Sequence, residues 1–127
     1  MILKKNKFLI VFASALLCLL PLALLSGPFI PDLFISIIAI IFLMLVLINK
    51  EYKYIVNNFS IFFIVFYLYL IISSLLSDQI IYSLSQSIFY FRFGLFALAT
   101  WYLLDKNNNL IKHFTIIFFI IFSFGLL

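Results

Sequence analysis

SIFYFRFGLFALATWYLL, residues 87–104, is apolar nearly throughout, yet it encloses Arg92, the only arginine in the chain. A run of that length and polarity reads as a membrane span, since crossing about 30 Å of hydrocarbon takes about 17–25 helical residues. The rest of the chain repeats the pattern. Of its 127 residues, 68% are hydrophobic and 9% charged, with a mean hydropathy of +1.35. Globular domains hold about 45–50% apolar and about 25% charged residues, so a soluble enzyme fold is excluded. The formal charge of +4 would suggest nucleic acid in a soluble protein. Here the lysines sit in short segments between apolar runs, where membrane topology explains them and no nucleic-acid partner is expected.

Working outward from Arg92, the apolar runs fall at residues 8–25, 32–48, 59–76, 88–104 and 114–127. Between them lie SGPFIPD, NKEYKYIVNN, SDQIIYSLSQS and DKNNNLIKH, which carry two of the three prolines, most of the asparagines and most of the charge. In hydrocarbon every backbone amide must be paired within its own segment, and the runs show no period-two alternation, so they are expected to be helices. The sequence predicts an all-α membrane protein with five transmembrane helices in a single domain spanning 1–127.

The lysines set the expected orientation. Lys4, Lys5 and Lys7 precede the first run, Lys50 and Lys53 lie between the second and third, and Lys106 and Lys112 lie between the fourth and fifth. The connections at 26–32 and 77–87 contain none. By the positive-inside rule the N-terminus is cytoplasmic and the lysine-free loops face outward. KKNK before an apolar stretch is also how a secretory signal begins. The first run has 18 residues, longer than a signal core of roughly 7–15, and no A-x-A-like site follows, so an uncleaved first helix is expected. The last run supplies 14 residues, about 21 Å of helix against about 30 Å of hydrocarbon. It reads as incomplete, which suggests the N-terminal part of a longer polytopic protein.

Motifs for catalysis are missing. The sequence has no P-loop, dinucleotide fingerprint, CxxC, HExxH or G-x-S-x-G, and no catalytic residue, cofactor or metal is expected. Cys18, the single cysteine, falls inside the first run and reads as a small buried apolar residue. His113 sits beside Lys112, where a solvated role is expected.

Arg92 carries the functional signal. Counted from the start of its run at Ile88 it lies about 6 Å in, close enough to the outer interface for its side chain to snorkel or to pair with a carboxylate such as Asp78. Alternatively it binds an anionic headgroup there, for which a planar, always charged donor suits phosphate. The preceding residues, about 78–87, place Ile80, Ile81, Leu84 and Ile88 at helical spacing, predicting a short interfacial helix with Ser77 as N-cap. Ser85, Arg92 and Ala99 fall seven apart and share a face. Ser85 and Arg92 are therefore the candidate headgroup-binding or substrate-binding residues. Gly94, Ala97 and Thr100 are small enough to let a neighbouring helix approach.

The order LLPLALLSGPFIPD, lysine-bearing loop, SLLSDQIIYSLSQSIFYFRFGLFALATWYLL resembles the N-terminal portion of the O-antigen ligase and O-antigen polymerase group of polytopic membrane proteins. YFRFGLFALA, with an SD-x-x-x-x-SL segment just before it, carries that resemblance. It implies a bacterial inner-membrane protein working on a polyprenyl-diphosphate-linked glycan at the outer face, without a metal. It also implies that the catalytic histidine and arginines lie in a later outward loop, so this chain would not transfer glycan alone and would pack against further C-terminal helices. The alternative is a non-enzymatic membrane protein, either a transporter fragment or a small subunit, with Arg92 as an anchor.

Overall fold

The computed structural model describes residues 2–126, with side chains from Asn6 onward; the side chains of Lys4 and Lys5, and Leu127 at the end of the fifth expected span, lie outside the described residues. Five α-helices follow one another: α1 (Ile2–Leu25), α2 (Phe29–Asn49), α3 (Asn58–Leu75), α4 (Ile80–Lys106) and α5 (Leu110–Gly125), with one turn of 3-10 helix at Tyr52–Tyr54. No strand occurs among the described residues. The fold is that of an all-helical membrane protein, and α1 to α4 are each long and apolar enough to cross a bilayer. At 16 residues, α5 is about 24 Å long and falls short of that thickness.

The boundaries follow from local chemistry. The α1–α2 turn needs Gly27, whose φ of 111° is open to glycine and strained for other residues. Ser26 closes the turn by donating from its hydroxyl to the Ala23 carbonyl at 2.6 Å. Pro28 then precedes α2, which starts two residues before Pro31, and Asp32 occupies the first turn, where a carboxylate complements the helix dipole. At its other end α2 stops at Lys50, in the left-handed region with φ 55°. Asn57 caps α3, accepting from the Ser60 amide at 3.0 Å while its own amide donates to the Tyr54 carbonyl at 2.7 Å.

The interfacial segment and the fourth span are one uninterrupted helix. Nothing between Ile80 and Lys106 breaks helical pairing: there is no proline, and the lone Gly94 is tolerated. Ser77 does not cap this helix, because its hydroxyl donates to the Ser74 carbonyl at 2.9 Å and lies 2.9 Å from the Ser83 hydroxyl; Gln79 takes the capping position. Likewise α5 begins at Leu110 rather than at Phe114, since LIKH continues the helical pattern and Leu110 is buried.

α1, α2 and α4 form the centre of the molecule, with α5 on the outer side of α1 and α3 on the outer side of α4. Ile38, Phe42, Leu45 and Val46 line one stripe of α2 and meet Ala13 and Leu17 of α1 and Ala99, Tyr102 and Leu103 of α4. Between helices in lipid, apolar burial gives little net drive, so close packing and interhelical hydrogen bonds hold them. Two small residues, Ala13 and Ala99, are almost wholly buried here. On α3 only Ser60 and Ser74 are buried, and it meets α4 through Phe63, whose ring occupies the space beside Gly94. Ala97, expected to share that approach, is exposed.

Candidate functional site at the two polar ends of the helix bundle

Arg92 pairs with Asp32. Its Nη2 donates to the Asp32 Oδ2 at 2.7 Å, joining α4 to the first turn of α2 across 60 residues of sequence. Asp78, the carboxylate expected from sequence, precedes α4. About 18 Å of helix separate Ile80 from Arg92, which puts Asp78 out of reach. Asp32, by contrast, is only about 4.5 Å from the start of α2, so α4 runs beyond α2 at this end by about two and a half turns. Arg92 is thus well inside its own helix but level with the end of its neighbour. That combination lets the guanidinium reach a partly solvated carboxylate.

The surroundings of the guanidinium are aromatic. Its carbon stands 5.2 Å from the Phe93 ring centroid and 5.7 Å from that of Phe89, within the range of cation–π attraction. Of five N–H donors, one is engaged with protein; Nε is buried and bonds to no group of the chain. The side chains of Arg92 and Asp32 are 28% and 46% exposed, so the free edge of the guanidinium is open to an anion. Ser85 lies about 10 Å further along α4, is exposed, and donates to the Tyr82 carbonyl at 2.7 Å. The structure does not bring Ser85 to Arg92. What it adds at this end is a hydroxyl contact between buried Ser74 and Ser87, which ties α3 to α4.

The opposite, lysine-bearing end is more heavily cross-linked, and sequence reasoning missed most of it. Asn6 of α1 donates to Asn49 of α2 at 2.7 Å, and Asn49 donates to the Tyr102 hydroxyl of α4 at 3.3 Å. Lys106 donates to Glu51 at 2.5 Å, and the Tyr54 hydroxyl donates to the Asp105 carboxylate. Tyr54, 1% exposed, sits edge-on to Trp101 and Tyr102. Burial first, and then its bond to Asp105, push its hydroxyl well above the ordinary tyrosine range. The available signal was that three separate helix ends each carry an uncharged hydrogen-bonding group at matching depth.

Chemically, the first end can hold an anion, and neither end offers a nucleophile with a base among the described residues. His113 is exposed, with Nδ1 2.8 Å from the Asn109 carbonyl. No cluster of three metal-ligating side chains occurs among the described residues, and Cys18 is buried in the apolar core. The sequence matches no family model, no curated protein and no solved structure.

Proposed function

We propose that this chain is the N-terminal membrane part of a lipid-linked glycan ligase or polymerase of a bacterial inner membrane. Its lysine-bearing end faces the cytoplasm, and Arg92 assists binding of the carrier diphosphate at the outer face. The observation that carries this reading is the arginine itself: inside a membrane helix, flanked by Phe89 and Phe93, it spends one donor on Asp32 and keeps its remaining N–H groups free. A diphosphate is the kind of ligand that a planar, permanently charged fork binds best. Asp32 would orient the guanidinium and offset its charge until substrate arrives. Transfer chemistry would come from further parts of the protein.

The test is made in the full-length protein in its host. Arg92→Lys keeps the charge and loses the fork, so attachment of surface glycan should fall at unchanged protein level. Normal glycan with normal protein level would refute the role of Arg92. A second reading, a non-enzymatic membrane subunit, is favoured by the near-neutral Arg92–Asp32 pair, which suits an interhelix clamp. The exchange Arg92→Asp with Asp32→Arg separates the two: a clamp is restored by it, whereas diphosphate binding at position 92 is not.

A further inference from the structure

At the lysine-bearing end, α1, α2 and the close of α4 enclose a cleft of about 590 Å³, within the range of about 300–1,000 Å³ usual for small-ligand sites. Its back is fixed by the hydrogen-bonded series Asn6, Asn49 and Tyr102, of which Asn6 is 8% and Tyr102 0% exposed. Lys7 and Lys106 line it together with Glu51. Lys106 gives one of its three N–H donors to Glu51, while Lys7 has no acidic partner within salt-bridge distance among the described residues. Among the described residues, two cations and one carboxylate leave the lining with a net charge of one positive. Asn107 adds a side-chain amide: its oxygen accepts from the Asn109 backbone at 3.3 Å, which leaves its NH₂ to donate. On the membrane side the cleft continues over Ile10 and Val11, and Val11 is 56% exposed.

We infer that this cleft seats the phosphate diester of a membrane phospholipid, with Lys7 and Asn107 as its donors and Lys106 held at its edge by Glu51. Basic pockets between helix ends are where lipid headgroups bind. The surplus of a single positive charge matches one phosphate diester, and Glu51 opposes a more highly charged anion. Free phosphate would meet the same lysine but gain nothing from the apolar surface of Ile10 and Val11. A lipid gains from both, so its glycerol and acyl chains lie along α1. This site is at the far end of the molecule from Arg92 and stands independently of the role proposed for that residue.

The full chain in detergent micelles is titrated with dioleoylphosphatidylglycerol, and retained lipid is counted by native mass spectrometry. One lipid per chain is expected, with affinity reduced at least tenfold by Lys7→Glu and unchanged by Lys112→Glu, a lysine at the same end but outside the cleft. Neither inorganic phosphate nor uncharged diacylglycerol at equal concentration should displace it. Equal binding by the Lys7→Glu chain overturns the site; so does an equal loss with Lys112→Glu, which would mean diffuse attraction to basic surface. Displacement by phosphate would overturn the lipid as occupant in favour of a free anion. Should Lys7→Glu prevent folding, judged by helicity and thermal unfolding, Lys7→Gln answers the same question and should also weaken binding.

Discussion

The Asp32 carboxylate accepts from the Arg92 guanidinium at 2.7 Å and thereby fixes α4 against the first turn of α2. Both side chains are partly exposed, so solvent screening limits the pair to roughly 0.5–1 kcal/mol. A double-mutant cycle with Asp32→Asn and Arg92→Gln, read by thermal unfolding in detergent, should return a coupling of that size. Strictly additive losses would show that the contact contributes nothing measurable.

Gly94 lies where a Cβ would overlap the Phe63 ring. Gly94→Ala should therefore push α3 from α4 and cost about 1–3 kcal/mol, the usual penalty of overpacking. Phe63→Leu in the same chain should recover part of it. Cysteines placed at Ser74 and Ser87, whose hydroxyls touch, give a second readout: their disulfide should form readily in the parent and slowly with Gly94→Ala.

Asn49 both accepts from Asn6 and donates to Tyr102. Replacing it by leucine leaves the Asn6 amide, 92% buried, without that partner, at an expected cost of about 1–3 kcal/mol. Asn6→Leu together with Asn49→Leu should cost less than the sum of the two single changes, because both polar groups are then gone. Thermal unfolding of the three variants decides this.

Tyr54 is held neutral by burial and by its bond to Asp105. A hydroxyl whose pKa is raised by folding keeps its proton longer in the native state. Its stabilisation is complete below the unfolded tyrosine value of about 10 and is lost as pH climbs past it, at up to about 1.4 kcal/mol per pH unit. Stability should fall more steeply above pH 10 in the parent than in Tyr54→Phe. Identical profiles would remove Tyr54 as the source.

Lys50 ends α2 with φ 55°, a conformation costly for a side chain bearing Cβ. Lys50→Gly should stabilise the protein by about 0.5–1 kcal/mol against heat. A loss of stability would show that the lysine makes a compensating contact.

Much of this molecule was legible in one dimension. The apolar runs located α1 to α4, because a helix crossing hydrocarbon needs length and apolarity that no loop supplies. The lysines marked one end: Lys7, Lys50, Lys53, Lys106 and Lys112 stand near the helix ends joined through Asn6, Asn49, Glu51 and Tyr102. Composition also singled out Arg92, since an arginine in such a run must find a partner or reach water.

What the tertiary structure alone decided is which helix faces which. Arg92 meets Asp32 rather than Asp78, Phe63 fills the space beside Gly94, and Tyr54 is buried against Trp101 and Tyr102. In a water-soluble helix the buried stripe betrays itself by contrast with a polar face. In lipid both faces are apolar, so the sequence of a span records that it crosses the membrane but not the direction in which it packs. That direction was fixed by small residues, hydroxyls, amides and ion pairs meeting between separate segments of the chain.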